Sequence, residues 1–187
     1  CKKRCNKFIA VSHKCAEALL QRIDTQDCEV HVLPPFIDPF VSELVPMAPL
    51  YGGATIFGCG TVETRKGFDL FCEVAQALRQ RGLTDFRMYW IGSDNGDLDP
   101  QVEIQRCQVQ DHVVWLGMQP NPREYFTWGN IFLLPSREDP FPLVCLEAAE
   151  CGLPVICFDE QAGGMASFVT PDAGYAVPYL DTQAMAE

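Results

Sequence analysis

No run of 18 apolar residues occurs among the 187 positions, so no segment is long enough to span a membrane as a helix. Basic residues are scarce: 14 Lys and Arg face 25 Asp and Glu, for a formal net charge of −11. A nucleic-acid partner needs a basic face to neutralise phosphates, so none is expected. The one basic cluster, Lys2, Lys3, Arg4 and Lys7, reads as a solvated terminus. A signal-peptide pattern, an internal repeat and a low-complexity tract are also missing. Charged residues make up 21% and apolar ones 48%, which excludes disorder and supplies a core for one α/β domain with a short appendage.

Ten cysteines are present, yet none forms a C-x-x-C pair, so the spacing does not suit zinc. Cys72, Cys145 and Cys157 fall in apolar stretches, where a free thiol acts as a small hydrophobe. Reduced thiols and a cytoplasmic location are the expectation. The chain starts at Cys1 and stops at Ala186-Glu187 in what reads as an incipient helix. Both ends read as cuts within a longer protein.

Residues 7–11 read as a strand, after which Ser12 caps a helix carrying Ala16, Leu19, Leu20 and Ile23. A second short strand spans 30–33. Residues 34–53 hold five prolines without periodicity and read as an interdomain linker. The division that follows is a remnant of a preceding domain over 1–33, the linker over 34–53, and a Rossmann-like domain over 54–187.

From Ala54 onward the pattern alternates regularly. Apolar strands of the buried, parallel kind are expected at 54–58, 86–91, 113–116, 131–134, 154–158 and 174–177. Helices are expected at about 67–81, 100–109, 121–127 and 142–150, with Gly82 and Gly152 as stops. Strands separated by single helices imply right-handed crossovers and a parallel sheet flanked by helices. Ligands of such sheets sit beyond the carboxyl ends of the strands, at the topological switch point.

Two loops at those ends carry chemistry. In the first, Gly58-Cys59-Gly60-Thr61-Val62-Glu63-Thr64-Arg65-Lys66-Gly67, glycines let the backbone turn sharply and approach a ligand. Arg65 and Lys66 stand at a helix entrance, where the dipole prefers anions. Either both point into water, or they and the helix end share an anionic ligand such as a diphosphate. Glu63 occupies the third glycine position of a G-x-G-x-x-G fingerprint, so a dinucleotide site is not indicated.

The second loop runs from Pro135 to Glu147. Asp139 and Phe141 each precede a proline and are biased to extended backbone. Pro142 fits the first helical turn, and Phe141 has no side-chain oxygen with which to cap it. The amides of Leu143 and Val144 are thus left for an anionic ligand. Glu147 lies within the helix beside Glu150. It is either solvated or a cleft carboxylate accepting from sugar hydroxyls, with Asp139 at the other end of the same ligand.

Asp139-Pro140-Phe141-Pro142-Leu143-Val144-Cys145-Leu146-Glu147, continued by Ala148 through Gly152, Pro154 and Val155, resembles the E-x7-E signature of the family 4 glycosyltransferases and the E-A-x-x-x-G-x-P-V run that follows it. Arg65-Lys66-Gly67 resembles their diphosphate-binding loop. Residues 7–12 and 31–38 are similar to the segments joining their two domains. The resemblance implies the C-terminal half of a two-domain GT-B fold and retaining transfer from a nucleoside-diphosphate sugar. It implies no separate cofactor and no metal.

By that resemblance Glu147 binds the ribose, and Asp139 with the backbone of Phe141, Pro142, Leu143 and Val144 holds sugar and phosphates. Lys66 and Arg65 neutralise the leaving diphosphate, Gly58, Gly60 and Thr61 line the first loop, and Gly117 and Met118 meet the base. A glycan or lipid-linked acceptor would be held by the missing domain, with peripheral membrane association of the whole enzyme. Two departures stand out: Asp139 replaces the family's first Glu, and Thr61 stands where an Arg is usual. A GT-B nucleotide-sugar epimerase and a non-catalytic nucleotide-binding module are the alternatives.

Overall fold

A computed structural model describes residues 6–22, 28–40 and 51–187. The basic residues 2–4 and linker residues 41–50 lie outside the described residues. Two parallel sheets are present. The smaller pairs β1 (Lys7–Ala10) with β2 (Glu29–Val32), Lys7 opposite Glu29, and the Lys7 ammonium lies 3.0 Å from the Glu29 carboxylate. Between them runs α1 (His13–Leu20), whose N-cap Ser12 accepts from the Cys15 amide at 3.3 Å, as its extended backbone allows. β2 begins and ends one residue earlier than the apolar pattern suggests.

The larger sheet contains β3 (Ala54–Cys59), β4 (Phe86–Ile91), β5 (Val113–Trp115), β6 (Ile131–Leu134), β7 (Val155–Phe158) and β8 (Gly174–Val177) in the order β5-β4-β3-β6-β7-β8, all parallel. This order winds outward from β3 one way and from β6 the other, so the switch point lies between those two strands. α2 (Phe68–Gln80), α3 (Pro100–Arg106), α4 (Pro122–Phe126), α5 (Leu143–Glu150) and α6 (Thr182–Met185) complete the element order.

Strand alternation divides the core between the two faces of the sheet. On one face Phe68 and Phe71 of α2 meet Trp90 edge-on, at 5.3 and 5.1 Å between centroids. On the other, Phe57, Phe126 and Phe132 interlock at 5.8 and 5.3 Å. All six rings are at most 1% exposed, and burying each contributes about 1.5–3 kcal/mol before entropy is counted. Both faces are therefore apolar along the central strands, which is why these read as continuous hydrophobic runs.

α2 stops where Gly82 takes φ 87°, its amide reaching Arg79 O and that of Leu83 reaching Leu78 O. Gly152 closes α5 in the same way, through Ala149 O and Ala148 O. α3 is shorter than expected because Gln108, at φ 56°, ends it after Arg106. α5 begins at Leu143, and Pro142 is its N-cap rather than its first helical residue, at ψ 113°. A cap has non-helical backbone, and proline carries no amide that the helix would miss. Two 3-10 turns, Thr64–Lys66 and Met165–Ser167, have no counterpart in the sequence pattern. Residues 34–40 carry no regular structure. Among the described residues no helix is long and apolar enough to cross a membrane.

Candidate functional site

The loops leaving β3 and β6 meet at the switch point. Gly67, at φ 76°, packs so closely on the Pro135 carbonyl oxygen that a β-carbon there would overlap it. Arg137 laces the two loops together. Its amide donates to Arg65 O at 2.8 Å, and its guanidinium grips both oxygens of Asp69, at 2.8 and 2.6 Å, and Thr64 O at 2.6 Å. Such a fork-on-carboxylate contact fixes geometry as well as adding energy. Asp69 sits in the first turn of α2, where the helix dipole favours an anion.

This lacing puts Lys66 and Asp139 in contact. The Lys66 ammonium lies 2.5 Å from Asp139 Oδ2, with side chains 20% and 9% exposed. The backbone of Asp139 is held by a third loop, after β7: its amide donates to Ala162 O at 2.8 Å. Gly163 presses on the Asp139 carbonyl where no side chain would fit. The pair is thus positioned by three strand ends at once. Arg65 is more exposed, 2.7 Å from Glu63 Oε1 and donating to Glu138 O at 3.0 Å.

α5 begins at Leu143, four positions after Asp139. Neither the Leu143 nor the Val144 amide meets an acceptor among the described residues, and Pro142 supplies no side-chain cap. Phe141 is buried edge-on against Phe168, at 4.6 Å, which anchors the loop before the helix. Leu143 is largely exposed and Val144 half-buried.

Glu147 is neither freely solvated nor unpartnered. Its Oε1 lies 3.4 Å from Arg123 of α4, and its side chain is 25% exposed. Its charge reaches the end of β3: burial pushes the Cys59 thiol up to about 12, Glu147 adds to the rise and Lys66 opposes it.

Gly60, Gly92 and Gly117 form a row at the ends of β3, β4 and β5, with φ 155°, 153° and 70°. The Gly60 carbonyl accepts from Trp90 Nε1 at 2.8 Å, and Gly92 packs on that carbonyl while donating its amide to Gly117 O at 2.9 Å. Met118, next in line, is 78% exposed, and Thr61 is half-buried. Gly58 sits where the sheet packs on α2. A β-carbon there would collide with Trp90 and Phe71, so its lack of a side chain answers a packing need.

The sequence contains an Asp-x-Asp pair, Asp97-Leu98-Asp99, of the kind that can hold a metal. Both carboxylates have protein partners: Asp97 accepts from the Thr64 amide at 2.6 Å, and Asp99 caps α3 through the Gln101 and Val102 amides. Sequence reasoning missed that pair, and it also missed Arg123, Arg137 and Gly163. Of these three, only Gly163, in the Gly163-Gly164 doublet, leaves a visible trace in the sequence.

A parallel sheet in this order, with a cation and an acidic motif at its switch point, defines a Rossmann-like domain of the GT-B glycosyltransferase type. Residues 53–187 match the family described as glycosyl transferases group 1, and the chain belongs to that family. It is 33% identical over 85 residues to N-acetyl-alpha-D-glucosaminyl L-malate synthase of Bacillus anthracis, covering 45% of this chain and 22% of that protein. It is 30% identical over 163 residues to the phosphatidylinositol N-acetylglucosaminyltransferase gpi3 subunit of Schizosaccharomyces pombe, covering 86% and 35%. Among solved structures, Anabaena HepE in complex with UDP and glucose superposes with a TM-score of 0.79 at 17% identity, covering 97% of this chain and 52% of that one. The chain thus spans well under half the length of these curated relatives.

Proposed function

We propose that this chain is the donor-binding half of a retaining glycosyltransferase. It holds a nucleoside-diphosphate sugar while a preceding domain presents a glycan or lipid-linked acceptor. The observation that carries the reading is the Lys66–Asp139 pair at the switch point, with the uncapped amides of Leu143 and Val144 following four and five positions after Asp139. A cation and two amides without acceptors are groups that bind a diphosphate. An ammonium has three N–H donors. Asp139 engages one of them, leaving others for phosphate oxygens.

In this reading Lys66 neutralises the leaving diphosphate, and Arg65, held by Glu63 and Glu138, contributes at longer range. Asp139 and the backbone of Phe141 to Val144 hold sugar and phosphates, and Glu147 accepts the ribose hydroxyls. Gly60 and Thr61 line the phosphate side, and Gly117 with Met118 faces the base. The acceptor oxygen forms its bond to the anomeric carbon as the diphosphate departs from the same face. The hydroxyl proton passes to the departing phosphate oxygen, so no protein nucleophile is required. Stabilising charge on that leaving group is the main catalytic contribution of this half. The UDP in the HepE complex supports a nucleoside-diphosphate ligand. The eight free thiols among the described residues favour the cytoplasm, and a lipid-linked acceptor would bring the whole enzyme to a membrane surface.

Calorimetric titration of the 187-residue chain with UDP, GDP and ADP tests the reading. Binding to at least one of them, without sugar transfer by the chain alone, is expected. Failure of all three to bind would remove the site, and turnover by the chain alone would overturn the half-enzyme assignment.

A further inference from the structure

We infer that Arg123 is the positioning residue for Glu147, and that through Arg123 the segment 38–40 sets that carboxylate's orientation. The inference rests on the proposed ribose-binding role of Glu147. Arg123 lies in α4, its side chain only 17% exposed, with its guanidinium between two carboxylates of α5: Nη2 is 3.4 Å from Glu147 Oε1 and Nη1 is 3.5 Å from Glu150 Oε2. Nη1 also donates to the Asp38 carbonyl at 2.8 Å, and the guanidinium carbon lies 5.8 Å from the centre of the Phe40 ring. The ring of contacts closes through Glu150, whose Oε1 accepts the Phe40 amide at 2.7 Å.

Two features separate this arrangement from a surface ion pair. Glu147 and Glu150 stand three positions apart on one helix, where like charges repel, and Arg123 is the cation between them. Glu147 uses only Oε1 on Arg123, and its Oε2 has no partner among the described residues, which leaves that oxygen to accept a hydroxyl. The contacts of 3.4–3.5 Å are long for charged hydrogen bonds, so their effect lies in orientation more than in stability. A change in the path of residues 38–40 would be felt at Glu147 without any direct contact between them.

The experiment measures by calorimetry the affinity ratio between the best-bound of UDP, GDP and ADP and its 2′,3′-dideoxy form. The unmodified chain, Arg123→Gln, Arg123→Lys, Phe40→Ala and Glu147→Gln are compared. Arg123→Gln should lower ribonucleotide affinity about fivefold and leave the dideoxy form unchanged. Arg123→Lys should recover part of the loss, and Phe40→Ala should produce a smaller loss of the same kind. Arg123→Gln added to Glu147→Gln should cost nothing further. Equal weakening of both nucleotides would make Arg123 a mere structural support and overturn the inference, as would an unchanged ratio in Arg123→Gln or in Phe40→Ala. If Arg123→Gln does not fold, Arg123→Lys and Phe40→Ala carry the same test. A chain that binds ribose and dideoxy forms equally before any substitution would instead overturn the role of Glu147 itself.

Discussion

Gly67 and the carbonyl oxygen of Pro135 are in such close contact that the α-carbon of one leaves no room for a substituent against the other. The loop bearing Lys66 is thereby seated on the loop bearing Asp139. Gly67→Ala combines this collision with a left-handed φ of 76° and should lower unfolding stability by about 2–4 kcal/mol. Denaturant titration reads the loss. Nucleoside diphosphate affinity should fall as well, because the two loops separate. A variant of undiminished stability would show that the contact is loose.

Lys66→Ala is expected to weaken diphosphate binding by about ten- to a hundredfold, the scale of one charge-assisted hydrogen bond, and to leave binding of the bare nucleoside unchanged. It also strands the Asp139 carboxylate in a position 9% exposed. Lys66→Ala combined with Asp139→Asn should therefore unfold at higher denaturant than Lys66→Ala alone. Calorimetry and denaturant titration of these variants beside the unmodified chain check both statements. Equal loss for nucleoside and diphosphate would assign Lys66 to the fold.

Glu147→Gln keeps the shape and one acceptor oxygen but removes the charge. Affinity for the ribonucleoside diphosphate should fall by about 1–3 kcal/mol, and the 2′,3′-dideoxy form should barely respond. The protein–ligand cycle gives the coupling directly. A coupling near zero would return Glu147 to the role of partner for Arg123 alone.

Several thiols are held neutral by burial: Cys59 and Cys157 are pushed up to about 12, and Cys145 well above the ordinary range. The folded value lies above the unfolded one, so the associated stability is fully present below the ordinary thiol value near 9. It is lost as pH climbs from there toward 12. Unfolding midpoints should be flat in this respect at neutral pH and fall steadily above about 9, less so in Cys59→Ala. Alkylation of Cys145 at about pH 8 should require denaturant. Rapid labelling of the folded chain would contradict its burial.

The four central strands of the large sheet were legible because each is buried on both faces and so reads as an apolar run, whereas the edge strands β5 and β8, partly exposed at Val114 and Tyr175, were legible only as short apolar segments. α2 was legible because Phe68, Phe71, Val74, Ala75 and Leu78 recur at helical spacing. The two chemical loops could be located because glycine and proline punctuate the strand ends where parallel sheets place ligands. Pairwise geometry was not legible. Arg123 and Glu147 stand 24 positions apart on different helices, and neither periodicity nor composition records which face of α4 meets α5. At Gly58 a glycine near a strand end signals close approach, and Trp90 is one partner that approaches, which the sequence alone does not name. The 3-10 turn at Thr64–Lys66 escaped because three residues carry no period.

On the proposed reading, the row of Gly60, Gly92 and Gly117 has a consequence for how ligand choice can change. A methyl group at Gly92 would strike the Gly60 carbonyl, so that floor cannot be re-sculpted by substitution. Gly117 has open space around it, but its φ of 70° penalises any other residue. Diversification at this edge of the sheet is channelled to the neighbours of the row, the exposed Met118 and the half-buried Thr61. A library randomising those two positions should yield folded variants at high frequency, and one randomising the glycines should yield almost none.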